Sequence, residues 1–257
     1  MSPWGRPRRS GADGSGPAGA AAVAGAGGAA GAGGAAGEES DTAALVHAAA
    51  AQVLSYPDAD LLARLDVIEA ALADTWAAAL FAPVLAHLRS PALNAPKASE
   101  PAEALTALQS YHVQEFDLSR RHALHLTYWT EGDTRRRGEV LASIKTVYRE
   151  SGLVVDTGGE LFDYLPMLCE FCVHDPERGL GLLTRFRPNL ELLRLGCTDD
   201  GLPHAGVLEA VCRTVPGPRP ADRAEIQAMV RAVAPTETVG FDPYSPTYVG
   251  WPELSRS

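Results

Sequence analysis

At 257 residues with a formal net charge of −10, the chain is long enough for one large core, and its acidic balance repels nucleic acid and anionic membranes while attracting cationic partners. Four cysteines (Cys169, Cys172, Cys197 and Cys212) are too few and too irregularly spaced for a disulfide scaffold. No stretch approaches the ~18 continuous apolar residues of a membrane span, so the sequence predicts a soluble, cytoplasmic protein.

Residues 1–37 form the first unit. From Gly11 to Gly37 the chain is almost wholly Gly and Ala and lacks Leu, Ile and Phe. It cannot bury enough apolar surface to offset the entropy of ordering, which predicts a disordered low-complexity tail. Arg6, Arg8 and Arg9 precede this run, and Arg8-Arg9 is a twin-arginine pair, but so glycine-rich a segment does not form the apolar stretch of an export signal. Three arginines against Asp13 give the tail a net +2, which leaves −12 for the remainder.

Beyond the tail, apolar spacing is helical. Ser40-Asp41 offers an N-cap to an Ala-rich helix that reaches Leu54 and stops at Tyr56-Pro57. Leu61, Leu65, Ile68 and Leu72 recur at helical spacing, and so do Leu80, Phe81, Val84, Leu85 and Leu88 after Trp76. Residues 90–101, rich in Pro, Ala and Ser, read as a loop. A fourth helix places Leu105, Leu108 and Tyr111 on one face and ends near Asp117. The clearest helix spans 135–151, with Leu141, Ile144 and Tyr148 on one stripe and Gly152 at the C′ position. Further helices are predicted over 161–173, 176–186, 188–195, 204–215 and 221–233, several opening on Pro. The run 152–156 is strand-like but too short and isolated to build a sheet. The class is therefore all-α: a single compact domain over 38–234 of about nine or ten helices. Residues 235–257, which carry Phe241, Tyr244, Tyr248 and Trp251 among Pro and Gly, read as an irregular strap.

Candidate chemistry is sparse. Cys169 and Cys172 have the C-x-x-C form, yet they sit in an apolar helical run without a second pair, which favours packing over metal or redox work. His122 and His125, three apart, would share a helix face, but such a pair supplies only half a metal site and lacks the H-E-x-x-H context. Glu160 and Asp163 fall at the predicted start of the 161–173 helix, where carboxylates suit the macrodipole. With Tyr164, Leu165 and Pro166 they could form an acidic, partly apolar rim for a basic amphipathic peptide. Arg135, Arg136 and Arg137 open a helix where cations are disfavoured. Asp133 can cap that end, and the arginines are either a solvated cluster or a source of one partner for Asp163 or Glu160. No phosphate loop, nucleophile or positioned base appears, so no enzymatic activity, no cofactor and no metal are predicted.

The order of motifs carries more than any one of them. Tyr111 and Phe116-Asp117, then Leu124 with Leu126-Thr127-Tyr128, then Gly132-Asp133 with Arg135 and Arg137-Gly138, and finally Glu160-Leu161 with Asp163-Tyr164-Leu165-Pro166 resemble the series found in the NarJ family of nitrate reductase assembly chaperones. His125 stands where that family usually has Tyr, and Phe162 replaces its usual Pro. The resemblance implies a cytoplasmic chaperone that binds the apo α subunit of respiratory nitrate reductase, including its basic N-terminal segment, while molybdenum cofactor is inserted and before membrane docking. It also implies a client-peptide site among Leu126, Tyr128, Asp133, Arg135, Glu160, Asp163, Tyr164, Leu165 and Pro166. Alternative readings are a chaperone of another molybdoenzyme, of the dimethyl sulfoxide or trimethylamine oxide reductase type, and a metal-dependent helical hydrolase built on His122, His125 and the carboxylates.

Overall fold

The computed structural model describes residues 32–89, 101–131 and 135–233. The leading tail up to residue 31, the 90–100 loop, Asp133 and the 235–257 strap lie outside the described residues. Eleven α-helices occur among those described: α1 (Ala32–Val53), α2 (Ala59–Leu72), α3 (Ala78–Arg89), α4 (Pro101–His112), α5 (Tyr128–Glu131), α6 (Arg135–Glu150), α7 (Leu165–His174), α8 (Pro176–Arg185), α9 (Arg187–Asp199), α10 (Ala205–Thr214) and α11 (Arg223–Val233). No β-strand appears among the described residues, and 152–156 is irregular. The all-α class holds.

Several boundaries differ from the sequence pattern for local reasons. Helix α1 opens at Ala32, ahead of Ser40-Asp41 and inside the expected tail; adding a turn to a helix that is already formed costs no new nucleation, which lets it run on through Gly33, Gly34 and Gly37 despite their poor propensity. Asp58 caps α2 by accepting from the Leu61 N–H at 2.7 Å. The fourth helix passes into a π-helical turn at Val113–Asp117. Helix α6 ends as predicted, with Gly152 at φ 73°, a conformation that favours glycine.

The core is built on α7, whose residues from Leu165 to Cys169 are buried, as are Phe171 and Cys172. Helices α1 and α8 pack on it, and α10 joins α1, α3 and α9. A helix buried nearly all round cannot show a narrow amphipathic stripe, which is why this one is apolar at almost every position. Its two thiols are packed: burial pushes Cys169 far up and Cys172 up to about 12, which keeps both protonated and unreactive at neutral pH.

Helices approach closely where glycine permits it. A Cβ on Gly179 would come within 2.6 Å of the Cys172 Cα, and one on Gly206 would collide with the Leu80 carbonyl oxygen. Gly206→Ala should therefore force α10 away from α3 and cost about 1–3 kcal/mol. Gly181, which faces open space, should tolerate Ala without loss. Thermal melts of the two variants read the difference, and equal melting points would refute backbone contact at Gly206.

Besides His122, four histidines are buried among the described residues: His47, His87, His112 and His204. Burial lowers all four, His47 to about 4 and His204 to about 3, the latter also through His87 and His112. Because their folded values lie below the ordinary 6.5, the unfolded chain binds more protons in acid. Their contribution is complete above pH ~6.5 and is lost as pH falls towards 4 and then 3. The melting temperature should drop between pH 7 and pH 5, and less steeply in His204→Leu; a flat profile in the wild type would contradict neutral burial.

Candidate functional site

Two of the motifs, 124–127 and 160–166, meet with Arg137 at the entrance to α7. Gly158 and Gly159, at φ 59° and 98°, let the chain turn sharply there. Asp156 accepts from the Gly158 N–H at 3.1 Å and Thr157 Oγ1 from the Gly159 N–H at 3.3 Å. The chain then runs antiparallel to the 124–126 segment, where the Leu126 N–H donates to the Asp163 carbonyl at 3.1 Å and the Leu165 N–H to the Leu124 carbonyl at 2.9 Å. His125 and Tyr164 face each other across this bridge, with ring centroids 5.2 Å apart.

Asp163 is the centre of this arrangement and is fully buried. Its carboxylate accepts from the Thr127 N–H at 3.0 Å and the Thr127 hydroxyl at 2.5 Å, and from His125 Nδ1 at 3.2 Å. Arg137 Nη2 stands 3.8 Å away, while Arg137 Nε donates to Thr127 Oγ1 at 3.1 Å. Burial by itself would raise the carboxyl, but the hydrogen bonds from His125 and Thr127 outweigh it and hold Asp163 below the usual carboxylate range. Asn189 Nδ2 donates to the Leu126 carbonyl at 2.7 Å and so ties the same segment to α9.

This geometry corrects several expectations. Glu160 and Asp163 do not open a helix: α7 begins at Leu165, after the turn, and Tyr164 takes the cap position without a side-chain bond. Nor do they form a common rim, because Glu160 is exposed whereas Asp163 is enclosed. Leu126 and Leu165 are wholly buried and Pro166 is buried as well. His122 and His125 do not share a helix face, since 121–127 is irregular. His122 lies 2.8 Å from Asp200 and 3.4 Å from Glu115, while His125 stands between Asp163 and Glu160 at 3.2 and 3.7 Å, so the pair envisaged for a hydrolase metal is divided between two separate groups of carboxylates. Of the three arginines, Arg137 reaches Asp163, whereas Arg135 is exposed. Tyr128 is half-buried, with the Arg137 guanidinium 5.9 Å from its ring centre. Phe162 packs beside Tyr148, at 5.6 Å between centroids, and thereby pins the turn to α6.

Outside this clamp lies a cleft of about 380 Å³. One wall is the turn and the start of α7, with Asp156, Glu160, Tyr164, Pro166 and Glu170; the other is the end of α1 and the start of α2, with Tyr56, Asp58 and Asp60. Arg64 is the cation among the lining residues and lies 4.0 Å from Asp60. The cleft is thus acidic, with the rings of Tyr56 and Tyr164 as accessible apolar surface over the buried Leu61 and Met167. Burial, with Glu160 and Asp117 nearby, raises the Tyr164 phenol, so it stays neutral and can donate a hydrogen bond. Sequence reasoning identified only Glu160, Tyr164 and Pro166 of this lining. It missed Thr127, Asn189 and the α1–α2 wall, although Thr127 sat inside a quoted motif.

Among the described residues no group of three or more His, Cys, Asp or Glu side chains is placed to hold a metal ion, and no helix is long and apolar enough to cross a membrane.

Comparison with known proteins converges on the same stretch. The family model for the nitrate reductase delta subunit matches residues 69–191, which include every motif from Tyr111 to Pro166. The chain is 36% identical over 178 residues to the nitrate reductase-like protein NarX of Mycobacterium tuberculosis, covering 69% of this chain and 25% of that protein. It is 29% identical over 127 residues to the probable nitrate reductase molybdenum cofactor assembly chaperone NarJ of Bacillus subtilis, covering 49% of this chain and 64% of that protein. The chain thus spans a quarter of the first relative and somewhat under two thirds of the second.

Asp163→Asn should cost about 1.5–3 kcal/mol of stability, because an amide offers one acceptor where the site presents several donors. Arg137→Gln should cost less than about 1 kcal/mol, given its longer separation and partial exposure. Chemical denaturation measures both; equal small effects would deny Asp163 its central place.

Proposed function

The chain belongs to the nitrate reductase delta subunit family, and on that premise we propose that it is an assembly chaperone for the catalytic α subunit of a respiratory nitrate reductase. It holds the apo subunit in the cytoplasm while molybdenum cofactor is inserted, and it catalyses no reaction of its own. The client's basic amphipathic N-terminal segment docks in the cleft between α1–α2 and the entrance to α7.

The observation that carries this reading is the coincidence of family motif and cleft: Glu160, Tyr164 and Pro166 line it opposite Asp58 and Asp60. Outward carboxylates select positive charge, and the apolar side chains supply contact area for the other face of a helical peptide. Asp163, Leu126 and Leu165 act from behind the wall. They position the turn that bears Glu160 and do not touch the peptide. Tyr128 steadies Arg137 from the same side, and Asp133 and Arg135 remain candidates for a wider contact with the client.

Titration calorimetry with the α-subunit N-terminal peptide tests this. Asp60→Asn and Glu160→Gln should each weaken binding about threefold at low salt, or ~0.7 kcal/mol, the scale of an exposed charge pair. High salt should shrink the difference. Absence of binding to the wild type would remove the cleft from the client reading.

A further inference from the structure

The chain itself carries two stretches of opposite charge, an acidic cleft and a basic leading segment. Five carboxylates line the cleft (Asp58, Asp60, Asp156, Glu160 and Glu170) with Arg64 as the cation among them. Asp58 also caps α2 and Asp156 accepts in the glycine turn, while Asp60 lies 4.0 Å from Arg64 and Glu160 3.7 Å from His125, so the lining as a whole stays acidic. The leading segment supplies the complement: Trp4, Arg6, Arg8 and Arg9 within six positions, then a Gly/Ala run whose one charged side chain before Ala32 is Asp13. It is a short basic stretch with an aromatic anchor, the chemistry that an acidic, partly apolar cleft accepts.

Reach allows the contact. Ala51, Gln52 and Ser55 at the far end of α1 line the cleft, about 30 Å along the helix from Ala32 at 1.5 Å per residue. The 22 residues between Arg9 and Ala32, treated as a Gly-rich coil, have an r.m.s. span of about 23–28 Å and a fully extended length of roughly 75 Å. A linker whose r.m.s. length is close to the distance to be spanned gives a nearly maximal effective concentration, on the order of 1 mM. Weak intrinsic affinity therefore suffices for substantial occupancy.

We propose that residues 3–10 of this chain occupy its own acidic cleft and act as an intramolecular competitor that a client peptide must displace. The competition rests on the reading of the cleft as the client site; the tail contact itself does not. The contact is electrostatic and local, so it is weakened by salt and by neutralising either side.

The test uses the full chain. The four native thiols are buried, so Ser2→Cys provides one reactive thiol for a nitroxide label. Paramagnetic broadening is then read at the amides of Gly158, Glu160 and Tyr164. Broadening at low salt, lost when Arg6, Arg8 and Arg9 are all replaced by Gln, is the expected result. Its absence at low salt would overturn the proposal. A mixture of labelled chains with unlabelled isotope-enriched chains separates the two geometries, and broadening of the enriched chain there would place the segment in a second copy and overturn the intramolecular contact. In calorimetry the triple Arg→Gln chain should bind the α-subunit N-terminal peptide about fivefold more tightly than wild type, the factor for an effective concentration of ~1 mM against a tail contact of ~0.25 mM. Equal client affinity would overturn the competition. Broadening without any client binding would leave the tail contact standing and sink the client reading, whereas client binding without broadening would do the reverse.

Discussion

A carboxylate with no exposure at all sets the terms for this half of the molecule. Enclosing Asp163 removes it from water at a cost of several kcal/mol, which only well-placed donors offset. Those donors come from elsewhere in the chain: Thr127 lies 36 residues before it and His125 lies 38 before it, while Arg137 reaches in from α6. The same contact fixes the register of the short antiparallel bridge, the point where α7 begins and the tilt of the turn carrying Glu160. Since α1 and α8 both pack on α7, an error in that register would be passed to the core.

A second buried network runs along α9. Glu191 is enclosed on α9 between Arg187 and Arg194, at 3.2 and 2.7 Å, and Arg187 also donates to the carbonyls of Val215, Pro216 and Pro218. Arg194 continues to Glu209 on α10 at 3.6 Å, where Arg213 and Arg219 also converge. Buried ion pairs of this kind contribute little net stability, but breaking one is costly, so they constrain geometry. They also consume the cations of the interior. The lining of the cleft, by contrast, is predominantly negative.

The histidines divide along the same line. His122 and His125 stand beside carboxylates and link segments distant in sequence, whereas His47, His87, His112 and His204 are packed as neutral rings. His204 meets Phe116 at 4.9 Å and His87 at 5.8 Å, so the π-helical turn rests on an aromatic layer instead of an ionic one. Burial opposes protonation of this layer, whereas at Asp163 it is the donors from His125 and Thr127 that favour the charged form against burial.

The helices were legible because burial of one face imposes a period: Leu61, Leu65, Ile68 and Leu72 are each buried, and Ile144 and Tyr148 hold the inner stripe of α6. Gly152 as a helix stop was legible for an equally local reason, its freedom at positive φ. The motif order identified the family and brought Glu160, Tyr164 and Pro166 to notice. What spacing could not reveal was that two acids three apart have opposite fates. Asp163 is interior because the 124–127 segment supplies its donors, and Glu160 is at the surface because Gly158 and Gly159 turn the chain outward before it. The α1–α2 wall of the cleft was likewise invisible, since Tyr56, Asp58 and Asp60 lie about a hundred positions from Glu160 and meet it only when α1 packs on α7. Sequence by itself determined the helical period, the acidic balance and the residues that matter to the family. Tertiary structure alone decided which of those residues face solvent, because exposure is set by contacts between segments whose separation along the chain carries no local signal.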